Sequence, residues 1–343
     1  MLGWILFYIL SFSLVAAPKK ISQIAYPFLF WIFVGFRDNI GTDYPLTLMS
    51  VERSYLPFSD IALNFFGYNA LDLEAVHKFI AMFMCSFGMQ LNYYYVILAG
   101  IEAMIISYLL QKSYHYKLVL VFLICIFTIN YPMNAVRQGL SFLLVVLAIL
   151  ISTKKTGKEK SKIYSTLMYL LGALSHYGSM PALVLYYFKF NNIRYYFIAA
   201  VIFLISVCYI DYDLISTRYG VEDSDIIYQF SGGFRLILFV SILMYAYKTV
   251  LKRRYNSQDI IILLGLLIGV FVHATLLRIF VMYANILIFK ILFESDDVFI
   301  SKKQKYALLC YPLIFFAFEI LEILRTPKIA EAGVWFPYDN WLF

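Results

Sequence analysis

Apolar residues along this chain are gathered into long runs, and polar residues are mostly confined to the short stretches between the runs. Runs of this kind predict helices that are apolar on every side, rather than amphipathic surface helices. One membrane crossing takes about 20 residues, so the pattern predicts an all-α, polytopic membrane protein with about 12 transmembrane helices, in a range of about 10 to 13. The candidate segments are 1–17, 21–36, 92–110, 118–133, 139–152, 163–176, 178–188, 195–210, 234–247, 259–273, 279–293 and 306–324.

Composition points to a single membrane domain over residues 1–343. Hydrophobic residues make up 62% of the chain and charged residues 14%, whereas soluble proteins carry about 25% charged residues. These values exclude a water-soluble single domain. Lys19 and Lys20 follow the first apolar run instead of preceding it, which favours a retained first helix over a cleaved signal peptide.

Charge and cysteine usage further narrow the possible classes of protein. The net charge of +7 is divided among short loops without a helix-long basic stripe, so it does not indicate a nucleic-acid partner. The four cysteines lie in or beside apolar runs, with no C-x-x-C pair. They predict neither a disulfide framework nor a zinc site.

Lysine distribution predicts the topology. The loop Lys154–Lys162 holds five Lys and one Glu, which places it in the cytoplasm. Alternation then puts the loop 37–91, the acidic loop 211–233 and both termini on the outer face.

Two stretches do not fit a simple crossing. Segment 61–89 combines an apolar run with several polar residues, so it is predicted to be an interfacial or re-entrant helix on the outer face; the polar residues are Asp72, Glu74, His77 and Lys78. The short runs 163–176 and 178–188 surround Gly178 and Pro181. They predict helices that break within the membrane, as helices lining a cavity do.

Arginine and lysine separate across this topology. Of 18 Lys, 16 fall on the cytoplasmic side, whereas seven of ten Arg fall on the outer side: Arg37, Arg53, Arg137, Arg218, Arg235, Arg278 and Arg325. Each Arg alone is explained equally well by a salt bridge to a neighbouring acid such as Asp38 or Asp43. The whole set favours an anionic, membrane-held ligand such as a lipid phosphate or diphosphate, because Arg clamps phosphate in a bidentate geometry.

Three polar stretches interrupt the apolar pattern on the outer side. They are Gly35 to Tyr44, which includes Arg37 and Asp43; Asn134 to Gly139, which includes Arg137 and Gln138; and Ser175 to Ser179, which includes His176. Taken singly, each also fits a structural interpretation: a capped turn, an Arg that reaches the interface, or a hydrogen-bonded core histidine.

In this order, the stretches resemble the EpsG branch of the Wzy-like bacterial polysaccharide polymerases. That family shows an Arg before Gly-Thr-Asp-Tyr, then Arg-Gln at a helix start, then a His followed by Ser. The matching residues are Arg37 with Gly41–Tyr44, Arg137 with Gln138, and His176 with Ser179; further matches are Arg235, Arg278 with Tyr283, and Pro337 with Tyr338. The chain departs from the family after Tyr44, where Pro45 follows and Thr47 replaces the usual second Tyr.

The resemblance implies a GT-C-like membrane glycosyltransferase. It would polymerise oligosaccharide repeat units carried on undecaprenyl diphosphate, at the outer face of the bacterial cytoplasmic membrane. Membrane lipids surround such an enzyme, and a chain-length regulator is a candidate protein partner. A ligase that moves finished glycan to another acceptor has similar chemistry and stays open, as does a flippase or transporter of lipid-linked oligosaccharide.

Roles are assigned to these residues as expectations. Arg137 and Arg278, with Arg37 and Arg235 as additional candidates, would bind diphosphate, since fixed cations best stabilise the charge that develops on the leaving group. Asp43 and His176 are the candidates for the general base. Gln138, Tyr44 and Tyr283 complete the expected substrate contacts.

No metal or other cofactor is expected. On the outer face, acids cluster in the loop 211–233, where a solvated face is the favoured interpretation over a divalent site. Glu102 lies inside a predicted crossing, where an ionisable group is by default a functional candidate. For Glu102 we nevertheless favour a structural role.

Overall fold

The fold is seen in a computed structural model. It describes residues 2–38, 44–60, 73–128, 131–132, 136–153, 158–179, 245, 248–249, 260–266, 274–294, 301–325 and 339–340. These residues are predominantly helical, as the apolar runs predict.

The helices follow the apolar runs closely. Their bounds are α1 Leu2–Ala16, α2 Lys19–Gly35, α3 Tyr44–Arg53, α4 Ala75–Ser86, α5 Tyr93–Lys112, α6 Tyr116–Phe122, α7 Val136–Thr153, α8 Lys158–Ser175, α9 Ala274–Glu294 and α10 Lys302–Arg325. A π-helical turn continues α6 over Leu123–Phe127. Short 3-10 turns cover Phe58–Asp60 and Tyr177–Ser179.

Four helices start three or more residues before the predicted segments; two of them are α9, which starts at Ala274, and α10, which starts at Lys302. Helix α7 starts at Val136, three residues before the predicted segment, so Arg137 and Gln138 lie in its first turn and not in the preceding loop. Helix α8 starts at Lys158 and takes in the last part of the basic loop. Arg137 in the first turn lies near the partial positive charge of the helix N-terminus, so it needs an anionic partner there.

Helices α2 and α5 pack as a close antiparallel pair. A Cβ on Gly35 would stand 3.3 Å from Ala99 Cβ, so a small residue on each helix permits the close approach. Trp31 Nε1 donates to the Val96 carbonyl at 2.9 Å. At the opposite end of the pair, Lys19 Nζ donates to the Ser113 carbonyl at 2.7 Å.

Helices α7 and α8 form a second antiparallel pair, bonded through serines. Ser141 Oγ donates to the Gly172 carbonyl at 2.7 Å, and Ser165 Oγ donates to the Ala148 carbonyl at 3.0 Å. These hydroxyls are buried. Hydrogen bonds of this kind satisfy polar groups where apolar surroundings offer no other partner.

Among the described residues, two helices are long and apolar enough to cross a membrane by themselves, Tyr93–Lys112 and Val136–Thr153. Shorter apolar helices lie at Ile5–Ala16, Ala75–Ser86, Tyr116–Phe127 and Phe280–Phe293. The described part of the chain therefore agrees with an all-α membrane protein, while the count of about twelve crossings stays a prediction. The acidic loop 211–233 lies outside the described residues.

The helix packing gathers distant parts of the chain at one end of the bundle. The C-terminus of α2 meets the N-terminus of α5, and the N-terminus of α7 meets the C-terminus of α8. The strand β1, Arg37–Asp38, pairs with β2, Asp339–Asn340, in an antiparallel register that sets Arg37 opposite Asn340. Polar residues at this end come together to form the candidate site.

Candidate active site

A single carboxylate, Glu74, holds the centre of the site. Its Oε2 lies 3.1 Å from Arg137 Nη1, and its Oε1 lies 3.1 Å from His176 Nδ1. The three residues come from the residue before α4, the first turn of α7 and the residue after α8. Helix packing thus joins positions that are 63 and 102 residues from Glu74 along the chain.

Glu74 occupies the N-cap position of α4 but does not cap that helix with its side chain. A side-chain oxygen at this position commonly accepts from the first turn of its own helix. Here both carboxylate oxygens point instead to Arg137 and His176. The local sequence therefore places an acid at a helix start, and tertiary contacts redirect it into the site.

The position of Arg137 explains why it needs an acid. The N-terminus of a helix carries partial positive charge, which disfavours a cation and favours an anion. Glu74 supplies the anion beside the first turn of α7. The same combination of a helix N-terminus and a guanidinium is well suited to bind phosphate oxygens.

His176 is held from both sides. Gln138 Nε2 lies 3.2 Å from His176 Nε2, opposite the contact between Nδ1 and Glu74. With a carboxylate at Nδ1, that nitrogen donates its proton, and Nε2 is then the acceptor of the Gln138 amide. This pairing selects the tautomer whose Nε2 lone pair can accept a proton.

Burial differs among the three central residues. The Glu74 side chain is 6% exposed, whereas Arg137 is 17% exposed and His176 18%. The acid lies at the back of the site, and the cation and the imidazole face its accessible side. Burial alone would raise the pKa of Glu74, but the hydrogen bond from His176 and the charge of Arg137 hold that pKa well below its usual value.

A second histidine forms the wall behind Glu74. His77 lies one turn further along α4 and is fully buried, and its Nδ1 is 2.7 Å from the Tyr94 hydroxyl on α5. Burial lowers the pKa of His77 to about 4. His77 is therefore neutral at pH 7 and serves as a packed hydrogen-bonding residue.

Arg37 lies next to Tyr95 of α5. Its guanidinium is 4.9 Å from the centre of the Tyr95 ring and 6.0 Å from that of Tyr44. The two rings stack on each other with centroids 4.4 Å apart. Arg37 is 1% exposed, so this cation–π arrangement is a buried support of the site.

Hydrogen bonds hold the turn that follows His176 in place. Ser141 and Ser179 bond through their hydroxyls, and Tyr283 of α9 donates its hydroxyl proton to the Gly178 carbonyl. Helix α8 ends at Ser175, and a 3-10 turn follows. The sequence predicts a helix break at this point, and the break is what turns His176 towards Glu74.

The structure brings together three of the predicted site residues, Arg137, Gln138 and His176. Tyr44 packs under Arg37, and Tyr283 supports the turn after His176. Arg278 lies in the first turns of α9, but its side chain is outside the described residues. Asp43 and Arg235 lie outside the described residues altogether. Among the described residues, no cluster of three metal-ligating side chains occurs.

Glu74 is the central residue that sequence reasoning did not select. Its position carried a signal, because an acid at the start of an apolar helix is well placed to accept from that helix or from a neighbouring cation. That signal served only as an argument against a crossing at 61–89. His77 is another of the polar residues of segment 61–89. Its buried contact with Tyr94 likewise depends on the packing of α4 against α5.

Comparison with known sequences identifies the family. The sequence profile of the EpsG family matches residues 21–340, which includes all the site residues described above. The chain belongs to the EpsG family. No curated protein and no solved structure matches it.

Membership of the EpsG family indicates a polysaccharide polymerase-like role in a membrane. The matched range contains Arg37, Arg137 and His176. The structure adds what a family match does not contain, namely that Arg137 and His176 share one carboxylate.

Proposed function

We propose that this EpsG family protein is a glycosyltransferase that polymerises oligosaccharide repeat units carried on undecaprenyl diphosphate. The observation that carries the proposal is the contact of one buried acid with both a guanidinium and an imidazole. A glycosyl transfer from a diphosphate needs a fixed cation for the leaving group and a base for the attacking hydroxyl. Arg137 and His176 supply these two groups from opposite oxygens of Glu74.

The proposed reaction is a direct displacement at the anomeric carbon of the donor. The acceptor hydroxyl oxygen forms a bond to that carbon, and the bond from the carbon to the diphosphate oxygen breaks. Undecaprenyl diphosphate leaves with the electron pair, and the hydroxyl proton passes to His176 Nε2. Asp43 stays the alternative base.

Each neighbouring residue has a defined part in this scheme. Arg137 contacts the leaving diphosphate, and Gln138 occupies the position at Nε2 that the acceptor hydroxyl takes over. Arg278 and Arg235 are the proposed further diphosphate contacts, and Tyr44 and Tyr283 lie among the proposed sugar contacts. Arg37 is deeply buried, so its part is to support the site through the rings of Tyr95 and Tyr44.

The proposed setting is a bundle of about twelve crossings, with the site on the outer face of the cytoplasmic membrane. The grouping of Arg137, His176 and Arg37 at one end of the bundle, with Lys19 and Lys112 at the other, supports this orientation. Lysine is enriched on the cytoplasmic side of membrane proteins. Membrane lipids and lipid-linked oligosaccharides are the expected partners.

The deciding experiment compares surface glycan from a strain that lacks the gene with glycan from the same strain carrying the intact gene. Glycan that stops at one repeat unit in the deletion strain supports a polymerase. Loss of surface glycan with lipid-linked repeats retained inside the cell contradicts the proposal and indicates a flippase. Full-length chains left on undecaprenyl diphosphate contradict it in favour of a ligase.

A further inference from the structure

The two oxygens of Glu74 serve two groups that act on different substrates. Oε2 contacts Arg137, which is assigned to the donor diphosphate, and Oε1 contacts His176, which is assigned to the acceptor hydroxyl. Both distances are 3.1 Å. The two halves of the proposed reaction are departure of the diphosphate and activation of the acceptor hydroxyl. One carboxylate thus contacts the residues assigned to both halves.

We propose that Glu74 couples these halves: when the donor diphosphate engages Arg137, the carboxylate is released to His176, and the imidazole becomes an effective base only then. This inference rests on the proposed function. It adds an order of events, in which donor binding precedes activation of the acceptor. Glu74 is therefore a positioning residue, because it acts through Arg137 and His176.

The electrostatic argument begins with the state without substrate. Arg137 Nη1 lies 3.1 Å from Glu74 Oε2 and offsets part of its charge, so the imidazole faces a carboxylate that is already paired. A diphosphate carries at least two negative charges and makes strong bidentate contacts with a guanidinium. Once its charge is shared with phosphate, Arg137 no longer compensates Glu74, and the protonated form of His176 gains stability.

Burial makes the coupling strong. The Glu74 side chain is 6% exposed, so water screens its charge only weakly. Arg137 and His176 are each more exposed, so both can meet substrates without moving Glu74. A buried acid between two accessible groups transmits the state of one group to the other.

Other charged and titratable groups around His176 are few in the described residues. Glu74 and His77 interact with His176 and with Arg137 of α7. Tyr94 of α5 interacts with Glu74 and Arg137, and also with Glu102 and Arg37. His77 is neutral at pH 7 and is bonded to Tyr94. Glu74 is thus the carboxylate in direct contact with the imidazole.

Gln138 gives the coupling a second element. Its amide nitrogen occupies the Nε2 side of His176 at 3.2 Å, where an amide N–H donates but does not accept a proton from the ring. An acceptor hydroxyl that replaces this amide finds the lone pair already oriented. The resting site is consequently closed by Gln138 until the acceptor arrives.

The test measures the titration of His176 directly. Purified full-length protein in detergent is labelled with 13C-histidine, and the signal of His176 among the four histidines is assigned with His176→Gln. The titration midpoint is measured with saturating farnesyl diphosphate and with farnesol, which has the same prenyl chain without the charge. In the wild type we expect farnesyl diphosphate to raise the midpoint by about one pH unit and farnesol to leave it unchanged.

Two variants separate coupling through Glu74 from the direct field of the ligand. In Glu74→Gln the upward shift should fall to less than about half, whereas Glu52→Gln, at an exposed acid of α3, should keep the full shift. In Arg137→Gln the carboxylate already acts on His176 alone, so the midpoint without ligand should be raised and farnesyl diphosphate should not change it. The Arg137 variant tests the coupling through Glu74 even if Glu74→Gln does not fold.

The outcomes distinguish this inference from the proposed function. If farnesyl diphosphate binds through Arg137 and the His176 midpoint stays constant, or shifts equally in Glu74→Gln, the coupling is wrong and the diphosphate site stands. If binding is the same in wild type and Arg137→Gln, the assignment of Arg137 to diphosphate fails, and the proposed mechanism fails with it.

Discussion

At the scale of single residues, the site depends on matched charges at partly buried positions. Glu74 is stable as a carboxylate because Arg137 and His176 both contact it. An unpaired charge with this degree of burial would be costly. Each of the three residues therefore affects folding as well as the proposed chemistry, so protein level must be measured beside activity for each variant.

The role of Arg137 in glycosyl transfer can be measured with two substitutions. Arg137→Ala removes the charge that we propose stabilises the leaving diphosphate, so polymer formation should fall by about 100-fold or more. Arg137→Lys keeps a charge but loses the planar fork, so we expect activity to stay at least about 10-fold below wild type. Incorporation of radiolabelled sugar into polymer, normalised to membrane protein level, gives both values.

A matched control for Arg137 is Lys112→Ala, which removes an exposed cation at the other end of the bundle. It should retain near-normal polymer formation. Wild-type activity in Arg137→Ala would remove Arg137 from the site. Full activity in Arg137→Lys would mean that charge without bidentate geometry is sufficient.

His77 should make the folded protein sensitive to acid. Its pKa is lowered by burial to about 4, compared with about 6.5 in an unfolded chain. Stability from this group is complete above pH 6.5 and is lost as pH falls towards 4, because the unfolded state binds the proton first. Between pH 7 and pH 5 the loss should be about 2 kcal/mol.

Thermal unfolding in detergent at pH 7 and pH 5 checks this expectation. His77→Asn keeps a polar group near the Tyr94 hydroxyl without a titrating ring, so its apparent Tm should depend less on pH than that of the wild type. An equal drop in both proteins would show that His77 is not the group responsible.

At the scale of helices, the pairs α2–α5 and α7–α8 meet through small residues. A further glycine, Gly139 of α7, faces Glu102 of α5 next to the site. A Cβ there would stand 2.6 Å from Glu102 Oε1 and 3.4 Å from the backbone nitrogen of Pro132. Glu102 is itself 1% exposed, so its carboxyl has little room to move.

Gly139→Ala should therefore destabilise the protein, although alanine is the better helix former. Overpacking costs about 1 to 3 kcal/mol, whereas the gain in helix propensity is about 1 kcal/mol. In a Glu102→Ala background the carboxyl is gone, and the same substitution should be neutral or stabilising by up to about 1 kcal/mol. A double-mutant cycle of apparent Tm values measures the difference; equal losses in both backgrounds would contradict the contact.

At the scale of the whole molecule, the orientation of the helices follows from which of them cross the membrane. Segment 61–89 decides the orientation of everything before it. Positions Glu52, before this segment, and Phe87, near its end, are exposed, as is Tyr114 at the far end of α5. These three positions report the topology.

Single cysteines at these positions, in a background without the native cysteines, provide the test. An impermeant maleimide added to whole cells should label both Glu52→Cys and Phe87→Cys, because α4 lies at the outer face without crossing. Tyr114→Cys should react only after permeabilisation. Labelling of Phe87→Cys without Glu52→Cys would make 61–89 a crossing and invert the N-terminal helices.

The sequence by itself determined the all-α membrane class, the positions of most of the described helices and the two stretches that contribute Arg137, Gln138 and His176. Apolar runs and turn residues act locally, so they can be read in order along the chain. What only the tertiary structure decided is the contact of these stretches with Glu74. That contact joins residues 63 and 102 positions apart, and it exists because packing of α7 with α8 and of α4 with α5 brings four helix ends together.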